Sequence, residues 1–194
     1  MPEGYAPTVG KIHSEIDEKL AAWIEAQHLF FVASAPLAED GHVNVSPKGD
    51  LRWFRVLGSH QVAYLDFVGS GAETIAHARE NGRIVVMFCA FDGPPRIVRQ
   101  HGTAEVVLPE DPRFDDLVTQ LAFEDDGPEE ARRAVVRVDV TRIADSCGYG
   151  VPLMRFDGLR TQQAAWQDKM ARNGGFDAYI AEKNAESIDG LPAL

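Results

Sequence analysis

Cysteine is scarce. Only Cys89 and Cys147 occur among 194 residues, far apart and in no C-x-x-C or zinc-type spacing. That excludes a disulfide scaffold and a thiolate-built structural metal, and it fits a reducing compartment, the cytoplasm. Positive charge is scarce too: 19 Lys and Arg stand against 30 Asp and Glu, a formal net charge of −11. A nucleic-acid surface or an anionic membrane is a poor partner for such a chain, and any bound anion needs local donors. No apolar run approaches the ~20 residues of a membrane-spanning helix. The opening M-P-E-G-Y-A-P-T-V-G lacks a basic stretch followed by an apolar core, so the expectation is a soluble protein without a leader. The six histidines, His13, His28, His42, His60, His77 and His101, are scattered. No H-E-x-x-H, G-x-S-x-G or Walker lysine occurs, which leaves no metal site and no hydrolase or nucleotide-triphosphate signature.

What is present is 45% hydrophobic content, enough for the core of one domain over residues 1–194. The chain is arranged around Val62 to Phe88: V-A-Y-L-D-F, then V-G-S-G-A-E-T, I-A-H-A-R-E-N-G and R-I-V-V-M-F. This reads as a strand, a glycine-rich turn, a short helix and a strand buried on both faces. A helix opening out of Gly69-Ser70-Gly71 aims free backbone N–H groups at one spot, and its dipole favours an anion there, phosphate above all. Ser70 and Thr74 add hydroxyls, and the glycines allow close approach. The same residues also suit an ordinary strand-to-helix corner.

Before this stretch, Ile12, Ile16, Leu20, Trp23 and Ile24 recur at helical spacing and predict an amphipathic helix over residues 11–27. Leu29 to Ala35 is a buried strand and His42 to Ser46 its hairpin partner. Pro47-Lys48-Gly49 suits a type I turn. Lys48, Arg52 and Arg55 then form a basic cluster in one loop, compatible with a phosphate, although a solvated turn lysine is the commoner use of Lys48. After it, Arg96 to Leu108 is a strand with Val98, Ala104, Val106 and Leu108 on one face, and Arg96 and Gln100 in the apolar register at its start. Asp111 to Phe123 reads as a helix capped by Asp111, and Glu124 to Pro128 as a solvated acidic loop. Ala134 to Ile143 alternates as a half-buried antiparallel strand. Ser146 to Pro152 is a tight loop carrying Cys147 and Tyr149, either a linker or part of a site. Two short helices follow, over 161–172 and 176–184, with an ordered tail in which Ile188 and Leu191 are apolar. A dinucleotide fold is disfavoured: Thr74 replaces the third glycine of G-x-G-x-x-G, and no repeated strand-helix-strand units surround it.

The succession V-N-V-S-P-K-G, V-A-Y-L-D-F-V-G-S-G-A-E-T, E-N-G-R-I-V-V-M-F and P-P-R-I-V-R-Q-H-G-T-A resembles the pyridoxamine 5'-phosphate oxidase-related family of FMN-binding split barrels, over about residues 25–145. S-C-G-Y-G-V-P and the following helices resemble one bacterial branch of it. The resemblance implies a mainly β fold, a six-stranded antiparallel split β-barrel over 28–146 with peripheral helices, and residues 147–194 as a C-terminal loop and helices. It further implies a homodimer with FMN at the interface, acting as an oxidoreductase on a small-molecule substrate. Position by position, Ser46, Pro47 and Lys48 fall beside the ribityl phosphate, Tyr64, Leu65 and Asp66 along the isoalloxazine edge, and Ser70, Gly71, Glu73 and Thr74 at the phosphate-binding helix start. Arg96 and Arg99 lie on the strand passing the flavin. Cys147 and Tyr149 are expected to close the site from the partner subunit. Pyridoxamine phosphate oxidases themselves place basic residues at that helix start and in an arginine-rich C-terminus. This chain has Gly71-Ala72-Glu73 and ends D-G-L-P-A-L. The alternatives are a deazaflavin-dependent reductase, a non-catalytic flavin or haem carrier, and a colourless interaction domain.

Overall fold

The computed structural model describes residues 10–122 and 127–194. Its elements are β1 (Ile12–His13), α1 (Glu18–Glu25), β2 (Leu29–Ser34), β3 (Asn44–Gly49), β4 (Phe54–Gly58), β5 (Gln61–Phe67), α2 (Glu73–Asn81), β6 (Arg83–Cys89), β7 (Ile97–Val107), α3 (Phe114–Gln120), β8 (Arg132–Ser146), α4 (Gln162–Asn173) and α5 (Phe176–Lys183). The strands form one antiparallel sheet in the order β3-β2-β6-β7-β8-β5-β4, with β1 added on β8. The sheet curls on itself. Phe30 of β2 and Phe54 of β4 stand near opposite ends of that order, yet their ring centroids are 5.1 Å apart, and Phe30 reaches Tyr64 of β5 at 5.5 Å. Closure stops short of β3 and β4, which are the two ends of the sheet and do not pair with each other. The result is a split antiparallel barrel with helices around it.

Inside the barrel, Phe30, Val32, Phe54, Val62, Phe88, Val98, Val136 and Ile143 are buried in one apolar core. β5 and β8 are buried on their outer face as well, where Ala63, Leu65, Val107 and Val135 meet Phe114 and Leu121 at the two ends of α3. A third cluster joins Val68 and Ala131 to Phe176 of α5, with Trp166 and Met170 of α4 packed against it. The C-terminal helices are thus bonded by apolar contact to the segment that leaves β5.

Several expectations are corrected. The helix expected over 11–27 begins at Glu18, because the Asp17 carboxylate accepts the Leu20 N–H at 2.7 Å and caps it there. Ile12 and His13 pair with Ala144 and Ile143 instead. The sheet has eight strands rather than six; β1 and β4 are the additions. Pro47-Lys48-Gly49 is not a turn. These residues continue β3, opposite Phe31, Phe30 and Leu29, and proline is tolerated because β3 is an edge strand. The expected basic cluster disperses. Arg52 is held by Asp50, and Arg55 bonds the carbonyls of Leu121 and Ala122, fastening the end of α3 to β4. β6 alternates rather than being buried on both faces: Ile84, Val86 and Phe88 point inward while Val85 and Met87 are half-buried. The tail is ordered, but its anchor is Ala193, fully buried, whereas Ile188 is 67% exposed. The helix end at Phe123 and residues 124–126 of the acidic loop lie outside the described residues.

Candidate functional site

A cavity of about 310 Å³ opens beside β3, at the seam where the barrel does not close. Ser46, Pro47 and Lys48 of β3 line one side, and Tyr64, Leu65 and Asp66 of β5 the floor. Ser70, Gly71, Glu73 and Thr74 of the turn and α2 line the far wall. The structure therefore brings together every expected residue from these three stretches. It adds Phe30, Trp53, Arg133 and Gln163.

At the floor is a buried ionic triad. Asp66 is 4% exposed. Lys48 Nζ donates to its Oδ1 at 2.5 Å, and Arg133 donates Nε and Nη2 to its Oδ2 at 2.9 and 2.6 Å. Burial favours the neutral acid, but the Lys48 ammonium and the Arg133 guanidinium outweigh it and hold the Asp66 carboxyl below its ordinary value. Two cations against one carboxylate leave the triad itself with one net positive charge, while the Asp50 and Glu73 carboxylates line the same cavity. The Tyr64 phenol is pushed well up, first by burial and then by Asp66, and its hydroxyl has no hydrogen-bond partner among the described residues.

Local backbone explains how Arg133 gets there. Asp66 pairs with Ala134 and Phe67 with Arg132, so the register skips Arg133. Such a bulge re-aims one side chain, here inward beside the site. Arg133 Nη1 also donates to the Gly71 carbonyl at 2.6 Å, and Asn184, at the end of α5, donates to the Gly69 carbonyl at 2.8 Å. Two carbonyls of the glycine turn are thereby spoken for. α2 starts at Glu73 with Ala72 as a cap residue that supplies no side-chain bond, so its first-turn N–H groups have no helical carbonyl to receive them. Against this, the Glu73 carboxylate folds back over Gly71, one oxygen lying 2.7 Å from where a Cβ on Gly71 would stand. That anion already occupies the approach to the helix start.

The remaining expected residues lie elsewhere in the chain. Arg96 binds Asp145 through Nε and Nη2 at 3.1 and 2.9 Å and stacks over Trp23 at 4.7 Å. Arg99 donates to Ser146 at 2.9 Å. Cys147 is half-buried and Tyr149 is 61% exposed. None of the four lines the cavity of its own chain. Arg133 was missed by sequence reasoning, although an arginine between Ala131 and Val135 in the apolar register of β8 is the same kind of signal that singled out Arg96 and Gln100.

Fold and cavity define an open antiparallel barrel with a polar, cation-bearing pocket at its seam. The family model described as pyridoxamine 5'-phosphate oxidase matches residues 16–147. The pyridoxamine 5'-phosphate oxidase family protein ustO of Aspergillus flavus is 37% identical over 195 residues, covering 94% of this chain and 77% of that protein. The chain belongs to the pyridoxamine 5'-phosphate oxidase family. Among solved structures, a HupZ variant of Group A Streptococcus is similar with a TM-score of 0.52 and 22% identity, over 67% of this chain and 98% of that one. A second HupZ structure gives 0.51 and 22%, over 66% and 91%. These two likenesses concern the fold.

Proposed function

We propose that this chain is a flavin-dependent oxidoreductase that holds FMN in the seam cavity, by its phosphate at the start of α2 and by its polyol between β3 and β5. The observation that carries this reading is the pairing of Lys48 and Arg133 on one buried carboxylate beneath an uncapped helix start. That donor set suits a phosphomonoester. Thr74 and Lys48 would hold the phosphate, Ser46 and Tyr64 the polyol, and Trp53, packed on Phe67 at 4.5 Å, an apolar edge. Glu73 must swing aside. Bound flavin would supply hydride and electron transfer. The chain's part is to bind, to orient and to keep charge fixed. Asp66 is held down and Tyr64 pushed up, so neither changes protonation around neutrality.

A cavity of about 310 Å³ is at the small end of ligand pockets, roughly 300–1,000 Å³. It takes the phosphorylated arm and leaves the ring to be covered by a second copy, which supports a homodimer in which Cys147 and Tyr149 approach the partner's site. Free Cys89 and Cys147 support the cytoplasm, and among the described residues no helix is long and apolar enough to cross a membrane. A carrier that never turns over is the second reading, favoured by the displacement of Asp66 downward and Tyr64 upward, both away from neutrality.

The test is a visible spectrum of the purified chain after FMN addition, with mass analysis of the released cofactor. Anaerobic NAD(P)H is then added and the mass of the particle measured. The reading predicts a bound flavin that bleaches and reoxidises, in a particle of twice the chain mass. A deazaflavin mass replaces FMN, a bound flavin inert to every donor makes the chain a carrier, and a colourless chain overturns the flavin reading.

A further inference from the structure

Asn44 does not line the cavity, yet its amide touches two of the hydroxyl residues that do, Thr74 and Ser46. Its Nδ2 donates to Thr74 Oγ1 at 2.9 Å and to Ser34 Oγ at 3.2 Å, and its Oδ1 accepts from Ser46 Oγ at 3.1 Å. Ser34 Oγ in turn lies 3.0 Å from Nδ1 of His77, a side chain with 0% exposure. The set joins β2, β3 and α2 behind the cavity wall.

The Asn44 amide gives its own three bonds their direction. A primary amide has two N–H groups, and a hydroxyl has one proton. Asn44 spends both of its N–H groups, on Ser34 and Thr74. Ser34, which receives one, keeps a second lone pair as well as its own proton, so it meets His77 Nδ1 as donor or acceptor according to the tautomer of the ring. Thr74, which receives the other, has its proton left for the cavity. Ser46 gives its proton to Asn44 and presents only lone pairs. The Thr74 and Ser46 hydroxyls are therefore opposite in polarity.

We infer that Asn44 is a positioning residue that presets Thr74 as a donor and Ser46 as an acceptor, its amide tied to Ser34 from behind. The inference rests on the flavin reading and deepens it. A phosphomonoester accepts hydrogen bonds and matches Thr74. A polyol hydroxyl donates and matches Ser46. The site is thus built to take a phosphate and a sugar alcohol side by side, each on its own hydroxyl, and Thr74 alone of the two reads the phosphate.

The test compares FMN with riboflavin, which lacks the phosphate, by fluorescence titration of the full chain. Thr74→Val lowers FMN affinity about tenfold, the size of one charge-assisted hydrogen bond, and leaves riboflavin affinity unchanged. Asn44→Leu weakens both ligands through Ser46 and in addition lowers the ratio of FMN to riboflavin affinity about tenfold, and adding Thr74→Val to it lowers that ratio no further. Ser46→Ala weakens both ligands equally and leaves their ratio unchanged. A wild-type ratio in Asn44→Leu, or a Ser46→Ala loss confined to FMN, overturns the assignment. A wild-type chain that binds neither flavin overturns the flavin reading, and the role given to Thr74 with it.

Discussion

At the scale of the residue, Asp66 governs the site. Its depressed titration means that it contributes stability present above the unfolded carboxyl value of about 4 and lost as pH falls through its lower folded value. Replacing it leaves Lys48 and Arg133 facing each other underground, and breaking a buried pair costs about 3–5 kcal/mol. Asp66→Asn is therefore expected to lower denaturation midpoints strongly near neutrality, with the gap from wild type shrinking as a pH series descends below about 4. A gap independent of pH would refute the assignment. Arg133→Met is expected to cost as much in the same melts, because it also strands the Gly71 carbonyl. The acid was named from the sequence only through the family resemblance, which sets Asp66 along the isoalloxazine edge. Its arginine was not, because the bulge that re-aims Arg133 depends on how β8 registers with β5, which no local pattern encodes.

At the scale of the element, six strands and the glycine corner were legible because their apolar residues keep period two and the corner has its own chemistry. β1 is two residues long and exists only through β8, and β4 carries Arg55 in a short run that resembled a loop. Pro47 read as a turn because proline's local preference says so, while pairing with β2 overrides it. The same competition is visible in β7. Its register on β8 slips at Gly102, where a Cβ would collide with the Asp139 carbonyl and come within 3.1 Å of Val138. Gly102→Ala is expected to destabilise by about 3 kcal/mol. Loss of amide-exchange protection along Ile97–Val107 and Arg132–Ser146 checks it, and an unchanged melt would show that the strands simply part to admit the methyl.

At the scale of the whole molecule, the tail fastens elements far apart in sequence. Asp189 accepts the His42 N–H at 2.8 Å and contacts its Nδ1 at 2.6 Å, while Arg79 of α2 donates to the Ala193 carbonyl at 2.6 Å. The hydrogen bond to Asp189, followed by its charge, raises His42 above its ordinary value. The stabilisation from the charged His42 ring is therefore fully present below about pH 6.5 and lost as pH rises through the raised value, while the backbone bond to Asp189 does not titrate. Hydrogen exchange over residues 187–193, corrected for intrinsic rate, is expected to quicken with alkalinity in wild type. In His42→Gln it is expected to be fast and flat, and a flat wild-type profile would remove the latch. None of this was legible beyond an ordered tail, because His42 and Asp189 meet only in the folded chain. Pro47 has a last bearing at this scale. It sits midway along an open strand border, where an unbroken row of amides invites a neighbouring molecule to zip on and start a fibre. One missing donor spoils that template, so the open seam is a poor start for runaway self-assembly.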